Sequence, residues 1–490
     1  MKKSTTSSYV LELEASVTPS QLREIQARQE VARVTYNTCL GRLLKRWRGV
    51  NGVKQWREAK NRIQVINRTA EPTTAETKEK KALEQDMKRI EKDFGLTEYQ
   101  LHAFVKDVNK HFGRRISINE AQVTATRAFR AFEKFRYGGC RKLRFIPRGE
   151  SVTVESKSNE FGLRVCGQEL VWKDLRAPLI VRKCDKYAED AFLDKTKYAR
   201  LIVRSIRGRK RVFVQIVKEG VPPEKKRQAG PADSAVGIDI GPSAVAVYAT
   251  GNAEAFVEAL APSVVRDARR IRRLSRCISR SLDACNPDAK DEQGCWKKGV
   301  KLMKSRRCVK NQAKLADIRR RQAVNRKRDH EILANEIIAM GSDVRAEDTP
   351  IASWTARTKE TTARKEDGKI RSKKRFGKSV GHHAPGMLLS ILDRKLAYRG
   401  SSLKRVVSRR VKASQLDHAS GEYRKKKLGD RWFEVAGERV QRDLYSAWLI
   451  AHVKPNMEEV DLAACRADWP NFLRAQAKAL ENAPKNLNVF

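Results

Sequence analysis

Val236-Gly237-Ile238-Asp239-Ile240-Gly241-Pro242-Ser243, continued by Ala244-Val245-Ala246-Val247-Tyr248-Ala249, is the stretch on which the reading of this chain turns. An apolar run carrying one acid meets a Gly-Pro turn, and a second apolar run leads back. That is the pattern of a central strand and its hairpin partner. A carboxylate inside such a strand is costly to bury unless a cation or a hydrogen-bond donor meets it. Asp239 is therefore a candidate metal ligand. The plain alternative is an aspartate that only caps the turn.

Downstream, Glu254 to Leu260 reads as a third strand, and helical sequence runs from about 264 to 340. Its first half sets Ile271, Leu274 and Ile278 on one face and Arg269, Arg270, Arg272, Arg273, Arg276 and Arg280 around the rest. Such a face can be merely solvated. Like charges three and four residues apart nevertheless destabilise a helix unless something neutralises them, which marks these arginines as phosphate contacts. After a loop at Asn286-Pro287-Asp288, a second helix is expected from about Lys297 to Met340. Ser342 to Asp348 reads as a strand ending in acids, Glu347 among them, and 355–378 as a basic loop. Ala384-Pro385-Gly386-Met387 opens a helix that Gly400 ends, and Leu403 to Val407 makes another strand. Residues 408–440 look polar and irregular, and Val440 to Ile450 forms an amphipathic helix with Arg442 and Asp443 at its head. A helical tail covers 466–490.

Upstream, Pro222 to Pro231 resembles a linker. From Leu143 to about 218 the period is 2, in six short strand-like runs, and Tyr9, Leu11, Leu13 and Ala15 add a strand at the N-terminus. A small β-barrel of this kind presents a groove suited to oligonucleotides. Residues 20–136 read as helices with a basic exterior, the first broken at Arg48-Gly49. The last carries Phe129, Phe132 and Phe135 among Arg130, Lys134 and Arg136. Those rings either stack nucleobases or pack as a core stripe with arginine outside.

The totals narrow the class. A chain of 490 residues holds two or three domains. Against 104 Lys+Arg stand 58 Asp+Glu, a formal charge of +46 that works against compaction and calls for a polyanion, nucleic acid before a membrane. No apolar run of about 20 residues is present, so no membrane span is expected. The opening Met1-Lys2-Lys3-Ser4-Thr5-Thr6 is no signal peptide. Nine scattered cysteines, odd in number and never spaced C-x-x-C, point to free thiols in a reducing cytoplasm rather than to disulfides or zinc.

Asp239 on a first strand, Glu347 at the end of a later one and Asp443 at the head of a late helix follow the element order of an RNase H-like α/β domain. Three such carboxylates suit two magnesium ions about 4 Å apart for phosphodiester cleavage. Here the chain resembles the type V CRISPR effector nucleases and their transposon-borne TnpB relatives. The likeness is carried by Gly237-Ile238-Asp239-Ile240-Gly241, Arg345-Ala346-Glu347-Asp348 and Gln441-Arg442-Asp443-Leu444-Tyr445-Ser446-Ala447, the three RuvC motifs. Phe376-Gly377-Lys378-Ser379-Val380-Gly381, Ala384-Pro385-Gly386-Met387 and Ser414-Gln415 add to it. It is specific over roughly 236–450 and architectural before that.

The resemblance implies a multidomain α+β protein. Residues 1–16 and 143–225 would form a wedge barrel, 17–142 a helical recognition domain, and 226–407 with 440–490 the RuvC nuclease. Residues 408–439 would be a remnant of a zinc ribbon. It implies catalysis and magnesium binding by Asp239, Glu347 and Asp443, and as partners a guide RNA and target double-stranded DNA, whose sequence base pairing reads. Monomer and homodimer stay open. The ribbon segment holds no cysteine, and one histidine with one aspartate cannot close a structural zinc site, so no zinc is expected. His382-His383 reads as exposed or helix-capping imidazoles. Two other readings stand beside an RNA-guided nuclease: an RNA-guided DNA binder that silences with little or no cleavage, and a guide-free junction resolvase, which would not need the long basic lobes.

Overall fold

A computed structural model describes residues 6–69, 72–140, 142–223, 231, 233–297, 299–355, 376–426 and 430–482. The expected basic loop, apart from its ends, lies outside these residues, as do most of the linker and the last eight residues. The chain divides into two units, 1–225 and 226–490.

In the first unit, β1 (Ser8–Ala15) leads into α1 (Pro19–Gly52), α2 (Lys54–Ile66), α3 (Thr74–Asp93), α4 (Glu98–His111) and α5 (Ile118–Arg136). Thr18 opens α1 with a capping box, its hydroxyl accepting from Gln21 N–H and the Gln21 side chain accepting from Thr18 N–H. The expected break at Arg48-Gly49 does not occur, because α1 continues to Gly52. One isolated glycine costs a helix only about 1 kcal/mol. The strands β2 (Val154–Glu155), β3 (Leu163–Cys166), β4 (Glu169–Trp172), β5 (Leu175–Ile180), β6 (Thr196–Ile206) and β7 (Arg209–Glu219) follow, with α6 (Lys186–Leu193) between β5 and β6. They form one antiparallel sheet in the order β2-β6-β7-β1-β5-β4-β3. The N-terminal strand thus lies in its middle, paired along its length with β7. Among the described residues no ladder joins the outer strands β2 and β3, but β3 lies against β6, so the expected barrel is a sheet that curls back on itself without closing by hydrogen bonds. Leu143 to Phe145 forms no strand, and β4 stands where none was expected. Helices and sheet are tied by buried polar groups. Glu120 accepts from Leu163 N–H at 2.7 Å and from the Trp172 indole at 3.1 Å, and buried Arg28 donates to the Trp172 carbonyl at 2.5 Å.

In the second unit, β8 (Ala235–Ile240), β9 (Ala244–Ala249) and β10 (Glu254–Ala259) form an antiparallel meander. Next come α7 (Ala268–Cys285), α8 (Arg306–Met340), β11 (Asp343–Glu347), α9 (Gly377–His383), α10 (Pro385–Tyr398), β12 (Lys404–Val406) and α11 (Ser408–Val411). A hairpin of β13 (Trp432–Val435) and β14 (Glu438–Gln441) leads into α12 (Arg442–Ala451) and α13 (Leu462–Glu481). Both β11 and β12 run parallel to β8, giving the sheet order β10-β9-β8-β11-β12.

This sheet is covered on both faces. Val236, Ile238, Val344 and Ala346 pack on one side with Leu333 and Ile337 of α8 and Leu388 and Leu392 of α10. Ala246, Tyr248 and Val406 pack on the other with Leu444 to Ala451 of α12 and Phe472 of α13. Gly237 lies beneath α12, and a methyl group there would overlap the Ala447 carbonyl and the Ala451 backbone. Its replacement must push a helix off a buried sheet. Gly237→Val is expected to cost about 3 kcal/mol or more in denaturant unfolding of the full chain. An unchanged midpoint would show that this close approach is not needed.

Candidate functional site

Asp239 and Glu347 are placed by strand register. Ala346 of β11 stands level with Ile238 of β8, so the next residue on each parallel strand, Glu347 and Asp239, share one level and one face. That face is the α12 side, because Asp239 pairs with Ala246 of the α12-facing core and lies two residues beyond Gly237. Asp443 sits in the first turn of α12, where the helix dipole favours an acid, and the Gln441 side chain caps the turn by accepting from Leu444 N–H at 2.7 Å.

Asp239 feels the charge of both other acids. Burial, then the Asp443 charge, then the Glu347 charge push the Asp239 carboxyl well above the ordinary carboxylate range. Burial likewise raises Glu347, against a 3.1 Å hydrogen bond from the Thr349 hydroxyl. Asp443 is held by cations: Arg431 Nη1 lies 3.1 Å from its Oδ2 and Arg442 Nε 3.3 Å from its Oδ1. Asp348 faces elsewhere, accepting from the Ser408 amide at 3.0 Å and hydroxyl at 2.5 Å, which lowers its pKa.

The donor set suits magnesium: three carboxylates, all hard oxygens, two of them disfavoured as anions where they stand. Among the described residues, no group of three or more His, Cys, Asp or Glu side chains is arranged as a ready metal cage. The pairing of Asp443 with two guanidiniums is a physical reason, since like charges separate and opposite charges claim their oxygens.

The expected nucleic-acid contacts divide. On α7, Arg269, Arg270, Arg272, Arg273, Arg276 and Arg280 are all exposed, and none forms an ion pair with a described residue, while Leu274 is buried. Arg130 is exposed on α5. Arg136 is instead drawn inside, its side chain 16% exposed, paired with Glu91 at 2.5 Å and stacked near Trp47 and Tyr137. Phe132 is fully buried, edge-on to Trp47, so it packs as core and cannot stack a base. Arg442 is also 16% exposed, engaged with Asp443 and the Asp430 carbonyl.

The segment read as polar and irregular is built in. His418 is 2% exposed and packs against Tyr445, Trp448 and Trp469, its Nδ1 3.0 Å from the Tyr445 hydroxyl. Burial pulls its pKa down to about 4. A histidine held neutral stabilises the fold above its ordinary pKa, and that stability drains away as pH falls from about 6.5 towards 4. We expect a loss of about 2–3 kcal/mol over that window, absent in His418→Phe and measured by denaturant unfolding at pH 7 and pH 4.5. Equal losses in both proteins would exclude His418 as the cause. The His382 and His383 carbonyls accept from Arg326 at 2.7 Å and His330 at 2.8 Å, and the His383 ring bonds the Leu260 carbonyl. That arrangement fits anchoring of α9, with His383 committed to the backbone.

Sequence reasoning overlooked Arg431. It precedes a hairpin whose turn, Ala436-Gly437, puts both residues at positive φ. Alanine is a poor signal there, where Asn-Gly would have announced the turn.

No protein-family model and no curated protein matches the chain. Among solved structures, the chain is similar to one in the cryo-EM structure of the Cas12f1–sgRNA–target DNA complex. That match has 10% identity and a TM-score of 0.45, covering 92% of this chain and 99% of that one. It is also similar to a chain of a CRISPR–Cas12f ternary complex, with 12% identity, a TM-score of 0.27, and 90% and 83% of the two chains covered. Among the described residues no helix is long and apolar enough to cross a membrane.

Proposed function

We propose that this chain is an RNA-guided, magnesium-dependent DNA endonuclease of the type V CRISPR and TnpB kind, with an RNase H-like RuvC site formed by Asp239, Glu347 and Asp443. One observation carries the reading: strand register sets Glu347 level with Asp239, and the charges of Glu347 and Asp443, each more than a hundred residues from Asp239 in sequence, both act on it. Strand order β10-β9-β8-β11-β12, with the last two parallel to β8, supports the RNase H-like reading, and the register sets the first two acids at one level. Asp239, Glu347 and Asp443 would hold two magnesium ions, which would supply Lewis acidity for phosphodiester hydrolysis. The chain's own groups do the rest. The acids orient, Arg431 and Arg442 neutralise charge beside Asp443, and the exposed arginines of α7 grip phosphate. The first unit would hold the guide RNA and read a short duplex motif beside the target, with residues 408–439 as a zinc-free relic of the ribbon.

The test is to purify the full chain, sequence the RNA bound to it, and assay plasmid cleavage with that RNA in magnesium. Cutting by the wild type and none by Asp239→Ala is expected. Equal nicking by both proteins removes the nuclease reading, and target binding without cutting by the wild type favours a silencing protein.

A further inference from the structure

Arg345 stands on β11 two residues before Glu347, level with Gly237 of β8 and on the same face. An arginine at an inner strand position is expensive, and this side chain is only 13% exposed. Its donors are all directed. Nε and Nη2 donate to Asp343 Oδ2 at 3.1 and 2.6 Å, and Nη1 donates to the Ala451 carbonyl at 2.8 Å and to the Val453 carbonyl. Asp343 in turn pairs with Lys404 of β12 at 2.9 Å. The guanidinium therefore ties the strand that carries Glu347 to the C-terminal end of the helix that carries Asp443. Cations suit that end, where the last carbonyls lack helical partners.

Gly237 and Arg345 act as a pair. The first, by lacking a side chain, sets how closely α12 lies on the sheet. The second fixes where along its axis the helix stops. A slip of one residue moves each position by about 1.5 Å and turns it by about 100°, enough to swing Asp443 away from the two strand acids. The opposite end of α12 is held separately, Gln441 N–H donating to the Gln476 side chain at 2.8 Å.

We propose that Arg345 is the positioning residue of the site: it sets the axial register of α12 and so brings Asp443 within metal-sharing reach of Asp239 and Glu347. This rests on the metal-site reading above. Lysine can replace it only in part, because a single ammonium cannot hold Asp343 and two carbonyls in a fixed plane.

The test measures binding of Mn²⁺, as a magnesium stand-in, to the full chain by electron paramagnetic resonance, with RNA binding and thermal unfolding in parallel. Arg345→Met is expected to weaken Mn²⁺ binding about tenfold or more, as loss of a group that orients metal ligands does, with RNA binding unchanged. Arg345→Lys should fall between. Leu392→Ala, which opens the core on the opposite face of the sheet, should lower stability and leave Mn²⁺ affinity in place. Wild-type affinity in folded Arg345→Met, or an equal loss in Leu392→Ala, overturns the positioning role alone. Wild-type Mn²⁺ binding no stronger than that of Asp239→Asn/Asp443→Asn overturns the metal site and this proposal with it.

Discussion

Asp239→Asn is expected to reduce guided DNA cleavage about 10³-fold or more, to leave RNA binding intact, and to make the metal-free protein harder to unfold. The two opposite effects share one cause. Burial first, then Asp443 and Glu347, disfavour the charged form of Asp239 in the folded chain. A carboxyl whose folded pKa is raised weakens the fold as pH climbs from its ordinary value, about 3.9, through the raised one. Asparagine keeps the shape and removes that charge. The stability gain should therefore be larger at pH 8 than at pH 5, read from denaturant midpoints in chelator, while cleavage is assayed separately in magnesium. A variant that cuts within tenfold of wild type, or that is less stable at pH 8, would contradict the shared site.

Replacing Arg269, Arg270, Arg272, Arg273, Arg276 and Arg280 together by glutamine is expected to flatten the salt dependence of nucleic-acid binding. These six side chains are exposed and unpaired with any described carboxylate, so each is available to a phosphate. If all six displace counterions, the slope of log K against log salt falls by about 4 to 5, with affinity lower by about 10²-fold or more at physiological salt. Glutamine is a good helix former, and Leu274 still anchors α7, so the helix should survive and gain from lost repulsion. Binding isotherms across a potassium chloride series decide the matter. A six-fold variant with the wild-type slope would show that α7 is only a solvated face.

How much of this was legible beforehand differs by residue. Asp239 announced itself because an acid interrupts an apolar strand, and Glu347 and Asp443 because each ends or begins a regular element. Gly237 was visible as part of a motif, but its reason, the backbone of α12 resting on it, depends on a partner two hundred residues away. Arg345 too was visible only as part of a motif, since nothing local shows that its plane meets a helix end. Arg136 looked like a surface cation because helical periodicity gives direction and not neighbours; buried Glu91, from another helix, draws it in. Pattern reports which face a side chain takes, and pairing partners come only with the fold.

The late position of α12 has a consequence for synthesis. Until a ribosome has translated Asp443 the growing polypeptide holds two strand acids and lacks the third, and until it has passed Ala451 it leaves Tyr248 and Ala246 without their helical cover. On the proposed reading, a product truncated by a premature stop would thus still hold nucleic acid through α7 but could not cut it, and its uncovered apolar face would mark it for proteolysis.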